Sequence, residues 1–398
     1  MLQDQKKVFG DKLYPWLIVL LPALAQYQIG PVDLDSVAMA LFFVLAVWRK
    51  RYVHFTPINN RALIILVYLV LITVANIAVG TKYSPNSDII LRAGRYCLYL
   101  LVVFYLGNDA LTYDKLMRAY RFLAYAAITY LLIQAVFYYG AGIILPSRIG
   151  SDSRASEYEI GRLRSFFSEP SVLSYSLVPF VVCNLFGANN GTKKASFDAI
   201  FVSAGIILST TGQGILAIGV TWTIWLLLRT IRNGFKAKDM LLLIVFVTLI
   251  VVLLNSGILS FALDRASDTG EGGAIDARMS GYVAIRILSP LQLIFGTGFG
   301  NYIVDNRFGL DVPYAFVNYS SLAEFIFTLG ILGTLLWLAL FIYIARKGNT
   351  CVRVLLIVMA VLCWAGCPLT GVFMPLWLSL MCVQLPQGLF SRKSDNPA

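Results

Sequence analysis

Long apolar runs separated by short polar segments cover the chain from end to end. A helix that crosses the hydrocarbon part of a bilayer needs about 20 mainly apolar residues, and twelve runs approach this length. They cover residues 14–26, 34–48, 62–79, 89–106, 122–139, 171–186, 197–209, 214–228, 240–256, 321–345, 354–367 and 372–389. The pattern predicts an all-α polytopic membrane protein, with about 12 transmembrane helices in a single integral membrane domain over residues 1–398.

Two connections are much longer than the others, one over residues 140–168 and one over residues 257–319. Long ordered loops in a compact protein are usually functional. The second contains DARMSGYVAIRILSPLQLIF, which predicts a short amphipathic helix lying at the membrane surface. The chain lacks the internal repeat that marks many secondary transporters.

The composition agrees with this class of protein. Hydrophobic residues make up 58% of the chain and charged residues 13%, whereas a soluble domain has about 25% charged residues. One soluble domain, a disordered chain and a disulfide scaffold are therefore excluded. The six cysteines lack metal-binding spacing, and the one histidine has no cysteine near it. The sequence accordingly predicts no metal site and no cofactor.

The net charge of +11 is explained by topology. Twelve spans put both termini on one side, and the segments on that side hold 21 of the 32 lysines and arginines. The positive-inside rule makes this side the cytoplasm. Both long loops are therefore predicted to lie outside, and the basic balance does not indicate a nucleic-acid partner.

The outer and embedded segments contain ten arginines but a single lysine, Lys82. The planar guanidinium binds phosphate or carboxylate oxygens bidentately, which an ammonium group does not do. We interpret the asymmetry as recognition of an anionic ligand. The alternative is that these arginines pair with the 14 acidic residues on the same side.

Two groups of basic residues have sharper patterns. Arg92 and Arg95 lie in an apolar run, one and two turns below its outer end, and ionisable residues at such depth are functional by default. The alternative for Arg92 in particular is that its side chain reaches up to the interface. Arg278, Tyr282 and Arg286 follow one another at helical spacing and are predicted to share a helix face.

The string GRLRSFFSEPSVLSYSL, residues 161–177, is the most specific in the chain. It combines Arg162 and Arg164 with Glu169 at the outer end of a predicted span. Ser168 is predicted to be the N-cap, with Glu169 in the first turn and Pro170 at an early helical position. The string is also compatible with an ordinary capped helix, in which Glu169 faces the helix dipole or pairs with one of the arginines.

This string resembles the bacterial O-antigen polymerase (Wzy) family, within the O-antigen polymerase and ligase superfamily. STTGQGILAI resembles that family's polar turn before an apolar helix, and ARMSGYVAIRILSPLQLIFGTGFGNY resembles its second outer loop. VNYSSLAEFIFTLGILGTLLWLAL resembles its closing helix, with Asn318 and Glu324 at matching places. The resemblance covers roughly residues 160–345.

The resemblance implies a GT-C-like glycosyltransferase fold with two large outer loops. The activity it implies is transfer of a glycan from an undecaprenyl-pyrophosphate-linked donor to a lipid-linked repeat-unit acceptor. The reaction takes place at the periplasmic face of the bacterial inner membrane. The implied partners are these lipid-linked oligosaccharides, membrane lipid and a chain-length regulator (co-polymerase).

The resemblance also suggests roles for individual residues. Glu169 would take the proton of the acceptor hydroxyl, and Arg164 and Arg278 would stabilise the pyrophosphate leaving group. Glu324 and Asp276 are further candidates for the base. Substrate binding is assigned to Arg92, Arg95, Arg162, Arg286, Tyr282, Asn318, Tyr319 and Glu324.

Two other functions are alternatives. An O-antigen ligase is expected to carry a functional histidine just before the closing helix, where this chain reads PYAFVNYS. A flippase or transporter for lipid-linked oligosaccharides is expected to show internal symmetry and charges at the bilayer midplane.

Overall fold

The computed structural model describes residues 2–29, 32–49, 56–80, 83–105, 111–147, 163–188, 192–233, 274–303, 319–366 and 368–386, with isolated positions at 237, 241, 244, 248, 310 and 317. Helices dominate this part of the chain. They are α1 (Leu2–Leu24), α2 (Leu34–Arg49), α3 (Pro57–Val79), α4 (Asn86–Leu101), α5 (Tyr113–Ala141), α6 (Pro170–Phe186), α7 (Lys193–Leu208), α8 (Gly212–Asn233), α9 (Ala274–Ile285), α10 (Pro290–Phe295), α11 (Ser321–Lys347), α12 (Thr350–Ala365) and α13 (Met374–Cys382). The two short strands described, β1 (Gln28–Ile29) and β2 (Val32–Asp33), pair antiparallel between α1 and α2.

The predicted all-α class is confirmed for the described part. Eleven of the twelve predicted apolar runs contain a described helix, and most of the twelfth, at 240–256, lies outside the described residues. Four of the described helices are long and apolar enough to cross a bilayer, namely Pro57–Val79, Tyr113–Ala141, Gly212–Arg232 and Ser321–Lys347. These helices indicate a membrane protein that crosses the bilayer more than once.

Three local predictions were wrong. The predicted amphipathic helix is two helices, because α9 ends at Ile285 and the Ser289–Pro290 pair starts α10 with its own capping box. Arg286 therefore lies just beyond α9 rather than on its face. At the start of α6 the N-cap is Glu169 rather than Ser168, since Pro170 occupies the first helical position.

The chain divides into two compact units. The larger unit contains Met1–Leu123 and Ala277–Ala398. At its centre lies α13, whose nine residues are all buried against neighbours that include α1, α4 and α12. The smaller unit, Ala124–Asp276, is built around α6, which is buried on nearly every side and packs against α7 and α8. Helices that are apolar all round are typically buried in this way.

Helix α11 is broken at Gly330, in the larger unit. Gly330 has φ 67° and ψ −177°, a conformation open essentially to glycine alone. The carbonyl groups just before the break therefore lack the N–H donors that an intact helix would provide. Because α11 rises about 1.5 Å per residue, the break lies about 14 Å from its first residue, roughly half the thickness of a bilayer core.

The loop after α10 supplies the missing donors. The N–H groups of Thr297 and Gly298 donate to the carbonyls of Phe327 and Thr328, at 3.1 and 2.9 Å. The Tyr68 hydroxyl of α3 lies 2.9 Å from the Leu329 carbonyl and 2.8 Å from the Phe295 carbonyl. Irregular backbone is tolerated at membrane depth only when its polar groups are paired in this way.

We expect Gly330→Ala to destabilise the protein by at least about 2 kcal/mol. The backbone conformation alone costs a residue with a side chain about 1–3 kcal/mol. The added Cβ would also lie 2.4 Å from the Ile294 carbonyl oxygen, which is backbone and cannot move aside freely. The measurement is the thermal unfolding midpoint in detergent.

Gly219→Ala is the matched control. A Cβ at Gly219, inside α8, meets nothing within 4 Å, so alanine there should be neutral or stabilise the helix by about 0.5–1 kcal/mol. Equal midpoints for the two variants would contradict the account of the break.

Candidate functional site

A polar cluster surrounds the first turn of α11 in the larger unit. The Glu324 side chain lies in this turn with only 9% of its residue surface exposed. Its carboxylate is hydrogen-bonded by the side chain of Thr370, and the positive charge of Arg92 acts on it. Burying a carboxylate is costly, and the Thr370 hydrogen bond together with the positive charge of Arg92 lowers that cost.

Arg92 reaches this cluster from α4. Its guanidinium carbon lies 4.7 Å from the centre of the Tyr302 ring, and Nη1 is 3.4 Å from the Gly300 carbonyl oxygen. Its Nη2 is also 3.9 Å from the carboxylate of Asp88, one turn earlier. The Arg92 side chain remains 32% exposed, so part of it is accessible to a ligand.

Two tyrosines complete the wall of the cluster. The rings of Tyr302 and Tyr319 lie 5.3 Å apart, and the Tyr319 ring also contacts Phe327. Burial raises the pKa of the Tyr319 phenol, and the charge of Glu324 raises it further, although the nearby backbone of Ile303 partly offsets the shift. The phenol therefore stays protonated and keeps its capacity to donate.

Tyr282 fixes α9 to the same region. Its hydroxyl donates to the Trp364 carbonyl at 2.9 Å and accepts from the Ser320 hydroxyl at 3.0 Å. Ser320 is the N-cap of α11. Desolvation raises the pKa of the Tyr282 phenol. Its hydroxyl thus serves to join three helix ends, while the predicted contact with substrate stays a prediction.

Asn301 and Thr370 are the residues that sequence reasoning missed. The Asn301 carboxamide is buried; it accepts the N–H groups of Tyr83 and Ser84 and donates to the Thr297 carbonyl at 2.8 Å. These bonds hold the loop that carries Gly300 and Tyr302 against the start of α4. The position of Asn301 directly after a glycine-rich turn could have indicated a structural role for it, whereas nothing in the sequence around Thr370 indicates one.

Arg95 lies in a different cluster from Arg92. Its guanidinium forms an ion pair with Asp33 and lies 4.0 Å from the carboxylate of Asp35. Tyr99, one turn further along α4, donates to Asp35, which is fully buried. For Arg95 the structure thus favours the alternative of pairing with protein carboxylates. Its predicted role in substrate binding has no further support.

The smaller unit holds Arg164 and Glu169. The Arg164 guanidinium donates to the Ser168 carbonyl at 3.0 Å. Glu169 is exposed, and its carboxylate accepts from the Ser171 hydroxyl at 2.9 Å. The motif therefore places a cation and an accessible carboxylate at the start of α6.

The remaining predicted site residues are Arg162, Arg278, Arg286 and Asn318. Arg162, Asn318 and the side chain of Arg278 lie outside the described residues. Arg286 is exposed in the turn after α9. Within the described ranges, no three His, Cys, Asp or Glu side chains come together as a metal ion requires.

The cluster around Glu324 can do two kinds of chemistry. A buried carboxylate can accept a proton from a bound hydroxyl group, and an arginine beside it can hold an anionic oxygen through charge-assisted hydrogen bonds. Aromatic faces nearby can stack against a sugar ring. No protein-family model matches this chain, and no curated protein matches it either. The family resemblance therefore rests on the motifs alone.

We expect Arg95→Met to destabilise the fold more than Arg92→Met does. Removing Arg95 leaves Asp35 buried without its cation, and breaking a buried pair costs about 3–5 kcal/mol. Since 38% of the Arg95 side chain is exposed, we expect about 2 kcal/mol. Arg92→Met loses a weak ion pair with Asp88, a cation–π contact and an attraction to Glu324, together about 1 kcal/mol, because Thr370 still hydrogen-bonds the Glu324 carboxylate. Thermal unfolding midpoints of the two variants test this, and a larger effect of Arg92→Met would contradict the assignment.

Proposed function

We propose that the chain is an O-antigen or related surface polysaccharide polymerase. It transfers a glycan from an undecaprenyl-pyrophosphate-linked donor to a lipid-linked repeat-unit acceptor. The observation that carries the proposal is the buried Glu324 carboxylate, which Thr370 hydrogen-bonds and on which the positive charge of Arg92 acts, at the first turn of a long apolar helix. Twelve transmembrane helices, a GT-C-like arrangement, cytoplasmic termini and a site facing the periplasm of the inner membrane are parts of the same proposal.

In the proposed reaction the carboxylate accepts a proton, and the arginine stabilises the negative charge on the leaving group. The acceptor hydroxyl attacks the anomeric carbon of the donor sugar, and the bond from that carbon to the pyrophosphate oxygen breaks. The hydroxyl proton goes to a carboxylate, and the pyrophosphate leaves with the bonding electrons. Arg92 stabilises the negative charge that builds on the leaving group.

Of the three candidate bases, Glu169 and Glu324 have side chains in the described part of the chain, whereas that of Asp276 lies outside it. Glu169 is exposed, whereas Glu324 is buried, accepts a hydrogen bond from Thr370 and lies within the electrostatic reach of Arg92. A base held in a fixed position is more effective than a mobile one, which supports Glu324 over Glu169. Arg164 and Arg278 keep their proposed roles at the pyrophosphate, and Arg162, Arg286, Tyr319 and Asn318 keep theirs in binding.

No cofactor is needed in this scheme, since arginines can neutralise the pyrophosphate. The proposed partners are the lipid-linked oligosaccharides, the surrounding lipid and a chain-length regulator. A nucleic acid has no place in it.

Deletion of the gene separates the proposed function from its alternatives. Loss of a polymerase leaves surface glycolipid with the core and a single repeat unit on a gel. Loss of a ligase, or of a flippase for the lipid-linked unit, leaves the bare core instead. Bare core in the deletion strain would contradict the proposal.

We expect Glu324→Gln to lower the rate of polymer formation about 10²–10⁴-fold in a reconstituted assay, the usual contribution of a positioned general base. Arg92→Lys should also lower it, since an ammonium group loses the bidentate fork. Asp114→Asn is the matched control, because Asp114 is exposed in the first turn of α5 and carries no proposed role.

The comparison with Glu169→Gln decides between the two bases. Normal ladders from Glu324→Gln together with none from Glu169→Gln would move the base to Glu169. Normal ladders from both, at normal expression, would rule out a carboxylate base at either position.

A further inference from the structure

Ser165 adopts a left-handed backbone conformation in the smaller unit. Its φ is 56°, and among the described residues other than glycine only Thr210, with φ 53°, shares a positive value. The Phe167 N–H donates to the Arg164 carbonyl at 3.1 Å, so Ser165 is the second residue of a tight turn. Turns with positive φ at this position strongly favour Gly, Asn or Asp. A serine held there costs about 1–2 kcal/mol, so other interactions must hold it.

The side-chain amide of Gln134, in α5, hydrogen-bonds both backbone groups of Ser165. Its Oε1 accepts the Ser165 N–H at 2.7 Å, and its Nε2 donates to the Ser165 carbonyl at 3.1 Å. The Ser165 hydroxyl donates to the Ala127 carbonyl, also in α5, at 2.7 Å. Gln134 is 4% exposed and Ser165 is fully buried. One buried amide thus satisfies both backbone groups of the strained residue.

The turn leads directly to the predicted catalytic residues. Arg164 precedes Ser165, and its guanidinium bonds the Ser168 carbonyl. Glu169 follows as the N-cap of α6, where its carbonyl accepts the Leu173 N–H at 3.2 Å. Hydrogen bonds therefore fix the short backbone segment between the amide in α5 and the residue that starts α6 at several points.

The other left-handed residue lies at the same end of α6. Since α7 runs back along α6, the turn after α7 returns to the start of α6, and the Tyr175 hydroxyl there donates to Gln213. Strained residues persist only where their surroundings over-determine them, and they cluster at functional sites. Both strained turns also fall in strings that resemble the polymerase family.

We propose that Gln134 is a positioning residue, whose amide fixes the Ser165 turn and thereby the placement of Arg164 and Glu169. The proposal rests on the proposed function, because it gives Arg164 a role at the pyrophosphate of the lipid-linked substrate and leaves Glu169 as the alternative base. It gives a role to Gln134, a residue in the middle of the apolar helix α5 that belongs to none of the sequence motifs. An apolar residue could fill the same space, but it would leave the backbone of a buried turn unpaired.

The first test measures the turn without any substrate. Hydrogen exchange is followed over residues 163–169 in the full chain, reconstituted in lipid nanodiscs. Gln134→Met should speed exchange of the Ser165 amide by roughly tenfold to a hundredfold, because a buried N–H loses its acceptor. Asn184→Leu is the matched control, since the Asn184 amide is equally buried but bonds only the Phe180 carbonyl of its own helix. Unchanged exchange in Gln134→Met would overturn the proposal.

The second test measures polymerisation at a temperature where both variants are folded. Gln134→Met should lower kcat by about tenfold or more with a smaller change in KM, because misplaced catalytic groups act on the transition state. Asn184→Leu should keep the wild-type kcat. Faster exchange with an unchanged kcat would show that the turn has no positioning role.

The activity of Gln134→Glu should depend on pH in a way that a purely structural role of Gln134 would not produce. When protonated, the glutamic acid can accept the Ser165 N–H and donate to the Ser165 carbonyl, as the amide does. When ionised, it keeps the first bond and repels the carbonyl. Its activity relative to the wild type should therefore rise as pH falls, while the ratio for Gln134→Met stays flat. A flat ratio for Gln134→Glu would also count against the proposal.

The outcomes separate this proposal from the proposed function. If the wild-type chain makes no polymer from lipid-linked units, the proposed function is wrong. Hydrogen exchange still decides in that case whether Gln134 holds the turn. If the wild type polymerises and Gln134→Met does so equally well, only the positioning role is wrong.

Discussion

The arrangement of the larger unit depends on the pairing of backbone groups freed by the break in α11. A break inside an apolar helix exposes carbonyls where no water is available to bond them. The loop after α10 pairs two of these carbonyls, and Tyr68 pairs a third. Because the same loop carries Gly300 and Tyr302, its attachment to α11 also decides where the Arg92 side chain finds its contacts. The break thus links helix geometry to the polar cluster around Glu324.

The smaller unit solves a similar problem with a different side chain. There the irregular backbone precedes α6, and an amide from α5 pairs both groups of Ser165. In both units a polar residue inside an otherwise apolar helix serves the backbone of a neighbouring segment. Such residues look like candidates for substrate binding in a sequence, yet Tyr68 and Gln134 use their polar atoms within the protein. Their effect on function comes through the segments that they hold.

The sequence predicted the helices well and their irregularities poorly. Apolar runs fix helices locally, so the predicted runs overlap the observed helices in the described part of the chain, although α1 and α5 begin 12 and 9 residues before their runs. The break at Gly330 could not be predicted, because a glycine inside an apolar run is also common in an intact helix. The end of α9 was predictable, since Ser289 and Pro290 form an ordinary helix-start signal. The partner of Arg95 was not, because Asp33 lies far away in the sequence and only the fold brings them together.

The arginine excess outside the predicted cytoplasmic segments has to be judged residue by residue. Arg92 and Arg95 are three positions apart on one helix and were predicted together, but their surroundings differ. The charge of Arg95 is balanced by two carboxylates, one of them fully buried. Arg92 has a distant ion-pair partner, an aromatic face and a carbonyl, none of which neutralises its charge fully. An anionic ligand would therefore gain more from Arg92 than from Arg95. The same reasoning applies to Glu324. Because its carboxylate is buried, the positive charge of Arg92 stabilises the negative charge of the carboxylate, both before and during the proposed reaction.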